Sequence, residues 1–423
     1  MPGSLTPAHE RCAARRPRVV LYSHDTMGLG HVRRNVLVAG AIERSMDFEV
    51  DILLITGARE SRLELPPSVD CLALPALRKH ADGSYGARSF GFELETLIRI
   101  RSEAIRAAIA AFEPDLLVVD NVPRGAIGEL DATLRDLERA GTTRCILGLR
   151  DIADAPDVLR QEWMRDSNAE VVARYYQAVW VYGDPSVYDR VTQDGLPGSR
   201  NWDVHFTGYL DQCARASNGE DFAAWLRTRL PSLDAERRYA LCVVGGGEDG
   251  SELAETFARS DFECDSDGVV LAGPFLPAAA LARLRDRVRE RRDLHLLEFS
   301  GEPAPLLRNA ERVVCMGGYN TLGEVISYNK HALVVPRVRP RVEQCIRAER
   351  FLELRLVDRL MLPSELSDDR LSSWLTSASP ESTDARHRVD LSGLERIESL
   401  VRDLLPRRIE AAEFGPRLAS GLT

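Results

Sequence analysis

Lysine is nearly absent from this chain: Lys79 and Lys330 are the only two in 423 residues, and arginine supplies the rest of the 55 basic side chains. We read this as coding bias rather than an array of arginine sites. Positive charge in excess is missing too. With 65 acidic residues the formal net charge is -10, which excludes the basic surface by which nucleic-acid binders grip a phosphate backbone. No apolar run approaches the roughly 20 residues that span a bilayer. The opening 16 residues have no signal-peptide hydrophobic core, so a cytoplasmic protein is expected. Eight cysteines are scattered from Cys12 to Cys345 without a C-x-x-C pair, and neither a zinc site nor a disulfide framework is expected. Cys242 and Cys315 lie in apolar strand patterns and read as buried thiols.

What is present is a long chain, 44% hydrophobic, which calls for two domains of roughly 200 residues each. From Arg18 onward, short runs rich in Val, Ile and Leu alternate with longer helical patterns, the signature of βα units on a parallel sheet. Strands are predicted over 19–23, 50–55, 116–120, 145–149 and 179–182, with helices over 32–44, 93–112 and 126–139. A second series of strands is predicted over 239–244, 268–271, 294–298, 313–316 and 332–335. The fold class is therefore α/β, two doubly wound Rossmann-like domains facing a cleft, divided at residues 17–208 and 209–378. Residues 379–423 read as a loop, a terminal helix over 391–405 that crosses back onto the first domain, and a tail. Ligands of open α/β sheets sit beyond the carboxyl ends of the strands, so chemistry is expected in the cleft.

The most informative segment runs from Arg312 to Glu324: a buried strand, the turn Gly317-Gly318, then Tyr319, Asn320 and Thr321 opening a helix. Glycines let backbone N–H groups approach a phosphate, and the positive helix end favours its charge. Glu324, one turn into that helix, can accept both hydroxyls of a ribose; the plainer reading is an ordinary βα turn. An earlier loop offers Gly28, Gly30 and His31 after the first strand but lacks the third glycine of a dinucleotide fingerprint. His31 at the helix start reads as a general base or as a turn cap, with Asp25 and His24 in reserve. Asp120, ending a strand, is a further candidate or a turn former. Gly246 and Gly247 belong to a glycine loop, 245–250, whose Glu248 and Asp249 are expected to cap the following helix. Glu343 and Gln344, at a strand-to-helix corner behind Arg337, Arg339 and Arg341, can read sugar hydroxyls. The arginines themselves could neutralise a diphosphate or form a solvated loop. The aromatic residues Trp163, Tyr175, Tyr176, Trp180 and Tyr182 read as an acceptor pocket or as core.

Taken in order and spacing, the loops at 28–31 and 245–250, the Glu298-Phe299 pair, the turn 317–324 and Glu343-Gln344 resemble the GT-B nucleotide-sugar glycosyltransferases. The similarity is to the peptidoglycan N-acetylglucosaminyltransferase group and the bacterial predicted glycosyltransferases akin to it. The resemblance implies that the first domain binds the acceptor and the second the sugar nucleotide. Glu324 would then hold the ribose, the 317–321 turn the diphosphate, the backbone near Glu298 and Phe299 the base, and Glu343 with Gln344 the transferred sugar. His31 would activate the acceptor or contact the diphosphate. Transfer would be inverting, from a UDP-linked sugar to a small soluble acceptor such as a natural-product intermediate, with no metal and no cofactor besides that co-substrate. An epimerase of the same architecture, or a non-catalytic nucleotide-sugar-binding partner subunit, are the alternatives. Oligomeric state is left open.

Overall fold

A computed structural model describes residues 15–24, 29–46, 49–57, 65–79, 85–215, 221–246, 249–301, 303–378 and 384–405. Its strands are β1 (Arg18–Ser23), β2 (Asp51–Thr56), β3 (Val69–Ala73), β4 (Leu77–Lys79), β5 (Tyr85–Ala87), β6 (Leu116–Asp120), β7 (Arg144–Arg150), β8 (Ala178–Tyr182) and β9 (Val204–Phe206) in the first half. The second half holds β10 (Arg238–Val243), β11 (Ser266–Leu271), β12 (Leu294–Leu297), β13 (Arg312–Cys315), β14 (His331–Val334) and β15 (Arg359–Leu360). Seven strands form one parallel sheet in the order β3-β2-β1-β6-β7-β8-β9, and six form another in the order β12-β11-β10-β13-β14-β15. A short hairpin joins β4 to β5. Two Rossmann-like domains thus face one another across a cleft, as the alternating pattern predicts.

Alternation along β1 shows why the strands read as continuous apolar runs: Val19 and Leu21 feed one core face while Val20 and Tyr22 feed the other. A sheet covered by helices on both faces needs apolar side chains on both. Cys242 and Cys315 are fully buried, as expected, and burial pushes the Cys315 thiol up to about 12. The helix predicted over 126–139 is corrected. A single 3-10 turn, Ala126–Gly128, precedes the helix Asp131–Ala140, because Ile127 (φ 54°) and Gly128 (φ 76°) adopt left-handed backbone. Beyond Pro363, where the pattern thins, the structure adds the helix Asp368–Leu375. Its Ser367 hydroxyl accepts the Arg370 N–H, and it buries Leu371 and Leu375.

One apolar cluster runs through both halves, bridged by Tyr209, Tyr319 and Phe351. At its centre the Arg347 guanidinium holds Asp151 at 2.7 Å, and the two side chains are 1% and 0% exposed. Arg347 also donates to the carbonyls of Ile152 (2.7 Å) and Gly317 (3.2 Å), and the Tyr209 hydroxyl donates to Asp151 at 2.9 Å. The chain turns back at Gly208, with φ of 85°, where a Cβ would stand 2.8 Å from the Asp390 carboxylate. The helix Gly393–Leu404 then lies on the first-domain helix Gly30–Ser45. Arg402 donates to the Ser45 carbonyl at 2.7 Å and Arg44 meets Glu398 at 3.2 Å.

Burial alone would raise the Asp151 carboxyl, but Arg347 outweighs it and holds the pKa below the usual carboxylate range. The group therefore stabilises the fold above its unfolded pKa of about 4, and that contribution is lost as pH falls through the lower native value. Replacing Arg347 by Met strands a buried carboxylate, at a cost of about 3–5 kcal/mol. Urea denaturation at pH 7 should show this loss for Arg347→Met, and a double variant that also carries Asp151→Asn should recover part of it.

Candidate active site

Each sheet reverses its strand order once. In the first, the reversal lies between β1 and β6, whose ends are in register with Tyr22 opposite Val119. The chain leaving β1 starts a helix at Gly30, and β6 ends at Asp120, so this switch point brings His31 against Asp120. The His31 Nδ1 stands 2.5 Å from Asp120 Oδ2. Arg34, one turn along the same helix and almost wholly buried, places Nη2 2.7 Å from both Asp120 oxygens. Burial would raise the Asp120 carboxyl, but Arg34 and His31 overcome this and hold it well below the carboxylate range. An ionised Asp120 can only accept a hydrogen bond, so in the neutral ring the hydrogen sits on Nδ1 and Nε2 is bare.

The second sheet reverses between β10 and β13, which sets the turn Gly245-Gly246 beside the turn Gly317-Gly318. A cavity of about 250 Å³ lies between the two reversal points. Three helices begin on it: Gly30–Ser45, Tyr319–Ser327 and Glu343–Glu353. At the head of the last, the Asp154 carboxylate of the first domain accepts the Val342 N–H at 3.1 Å. The positive ends of the three helix dipoles converge on the cavity, an arrangement suited to an anion.

His31, Gly30, Gly246, Phe299, Gly318, Asn320, Thr321, Glu324, Glu343 and Gln344 all line this cavity. The Asn320 amide donates to the Gly30 carbonyl at 2.8 Å and ties the two facing glycine turns together. Glu324 is 2% exposed on the second turn of its helix. Glu343 accepts from Arg337 Nη2 at 2.5 Å through one oxygen, while its other oxygen is buried without a hydrogen-bond partner. Gln344 accepts the Arg337 backbone N–H at 3.0 Å, leaving its NH₂ group to donate. Gly317 stands behind the wall, where its φ of 83° makes the turn and its carbonyl receives Arg347.

No protein-family model and no curated protein sequence matches the chain. Solved structures do. The glycosyltransferase SnogD from Streptomyces nogalater superposes with a TM-score of 0.54 at 16% identity, covering 92% of this chain and 99% of that one. MurG from Acinetobacter baumannii gives 0.53 at 14% identity, with 92% and 99% covered. UDP-GlcNAc 2-epimerase from Neisseria meningitidis, solved with UDP-GlcNAc bound, gives 0.56 at 12%, again covering 92% and 99%. The chain has the GT-B fold.

Within this GT-B cleft several expectations need correction. Asp249 does not cap its helix; it pairs with Arg337 at 3.1 Å, because Gly250 occupies the cap position. Trp163, Tyr176, Trp180 and Tyr182 are core, each no more than 8% exposed, and none lines the cavity. His24 sits behind His31 with ring centroids 4.8 Å apart; burial, then His31, push its pKa well below the imidazole range. Arg337 and Arg341 are not a solvated loop: Arg341 reaches across to Glu162 at 2.9 Å, and Arg339 alone of the three is exposed. Asp25, Gly28, Gly247 and Glu248 lie outside the described residues. Among the described residues no cluster of His, Cys, Asp and Glu could hold a metal ion. The Asp265-Ser266-Asp267 sequence opens β11 at the end remote from the cleft, with Asp267 engaged by Arg237 and His295.

Arg34 and Arg150 are on the cavity wall and were not singled out from sequence. Arg34 carried the only available signal, its position three residues after His31 on one helical face. Changing Asp120 to Asn should remove the anion that fixes the His31 ring and leave Arg34 buried without a counter-charge. Long-range ¹H–¹⁵N spectra should then lose the single Nδ1–H tautomer of the neutral ring, while a retained tautomer would show that Asp120 does not set it.

Proposed function

We propose that the protein transfers a sugar from a UDP-linked donor to the hydroxyl of a small soluble acceptor, with inversion at the anomeric carbon. The observation that carries this reading is the His31–Asp120 pair, whose histidine lines a cavity on which three helix N-termini converge. The acceptor oxygen attacks the anomeric carbon and gives its proton to His31 Nε2, while Asp120 stabilises the imidazolium. The bond between the anomeric carbon and the β-phosphate oxygen breaks, and the electron pair leaves with the diphosphate. Helix ends and glycine amides neutralise that charge.

In this reading Glu324 accepts the ribose hydroxyls, and the turn from Gly317 to Thr321 meets the diphosphate. Glu343 and Gln344 hold the sugar, Glu343 through its unpartnered oxygen. Phe299 adjoins the base. The acceptor carries an apolar body: the first-domain loop after β5 lays Arg88 over the ring of Phe275, a cavity residue, and bears the stacked pair Phe90 and Phe92. A natural-product intermediate fits that description. No described helix is long and apolar enough to cross a membrane.

UDP should raise the melting temperature of the wild type, and Glu324→Ala should abolish the shift. His31→Ala should keep the UDP shift yet slow sugar transfer by about 10²–10⁴-fold. Absence of any nucleotide shift would defeat the donor-site reading. Release of free UDP together with an epimerised sugar, with no acceptor present, would replace transfer with epimerisation. Nucleotide binding unaccompanied by turnover would leave a binding protein.

A further inference from the structure

Arg150 ends β7 and stands in the first domain's wall of the cleft. Its backbone is held by Arg190, which donates to the Arg150 carbonyl at 2.9 Å. The other arginines of the wall are occupied. Arg34 is on Asp120, Arg337 on Asp249 and Glu343, and Arg33 on the carbonyl of Ser300. Among the described residues, by contrast, nothing accepts a hydrogen bond or forms an ion pair with any part of the Arg150 guanidinium; its Nε is closed off from solvent, as are those of Arg33 and Arg337, whose terminal nitrogens do have partners. Burial pushes its pKa down to about 10, with Glu343 drawing it up and Arg347 and Arg34 pressing it down. At neutral pH the group is a cation. A half-buried cation with no hydrogen-bonded counter-charge, its terminal nitrogens left to solvent, is a ready partner for a bound anion.

We propose that Arg150 binds the β-phosphate of the sugar nucleotide, reaching it from the domain opposite to the one that holds the nucleotide. This rests on the donor-site reading above. The β-phosphate is favoured over the α because Arg150 feels Glu343, at the sugar end of the cavity, and Arg34, which carries the His31–Asp120 pair. The α-phosphate adjoins the ribose, and so the Glu324 end. As the bond to the sugar breaks, the electron pair comes to rest on the oxygen facing Arg150. The next residue, Asp151, is locked to Arg347 on the helix that Glu343 opens, so contact with the leaving group and closure of the two domains share one strand end.

Titration calorimetry with UDP and with UMP, on wild type, Arg150→Met and Arg150→Lys, tests this. Arg150→Met should weaken UDP about tenfold to a hundredfold and leave UMP within about twofold, with Arg150→Lys in between. The ligand-free Arg150→Met protein should melt no lower than wild type, because the change removes a half-buried charge that has no partner. Unchanged UDP affinity overturns the proposal. So does an equal loss of UDP and UMP. Wild-type protein that binds neither nucleotide overturns the donor-site reading itself.

Discussion

The buried Asp151–Arg347 pair is the joint on which the rest of the molecule turns. Two desolvated charges in contact are tolerable only when geometry and hydrogen bonding are complete. Here Tyr209 and the carbonyls of Ile152 and Gly317 complete them. Every one of those partners belongs to a different functional segment. Ile152 follows the strand that ends in Arg150, Tyr209 lies in the crossing between the sheets, and Gly317 makes the turn that opens the Tyr319–Ser327 helix. One ion pair therefore sets the relative position of the wall that carries Arg150 and the turn that faces Gly30. Loss of either charge would loosen the cleft as well as the fold.

A second constraint comes from topology. A doubly wound sheet must reverse strand order somewhere, and at that point the loops leaving two adjacent strands diverge and leave a crevice. The protein has two such crevices face to face. In the first the reversal places a carboxylate beside an imidazole; in the second it places two glycine turns side by side. The charges are arranged to match. Asp120 is ionised because Arg34 is buried with it, and Glu343 and Asp249 share Arg337. The cavity thus keeps Asp249 and Glu343 neutralised by a fixed arginine while three helix ends add positive potential.

Much of this architecture was legible beforehand because its signals are local. Continuous Val, Ile and Leu runs mark strands covered on both faces, and Gly-Gly before a helical pattern marks a βα turn, so both sheets and the second-domain loops could be placed. Ile127 and Gly128 defeated the same approach. Their left-handed backbone breaks a helical pattern that periodicity alone continues. The helix Asp368–Leu375 was lost for the opposite reason, since eight residues carry too few periods to stand out.

By itself the sequence determined the α/β class, the two doubly wound halves and the glycine-to-Glu324 and Glu343-Gln344 segments, because each depends on residues within a few positions of one another. Only the tertiary structure decided which charges meet. His31 and Asp120 are 89 residues apart, and Asp151 and Arg347 are 196 apart. Among the arginines of this chain, nothing local distinguishes Arg150 and Arg347 from those left on the surface, and Arg34 is marked only by its place one turn after His31. Folding selects them, because a charge is buried only where the backbone brings its partner, or leaves room for one.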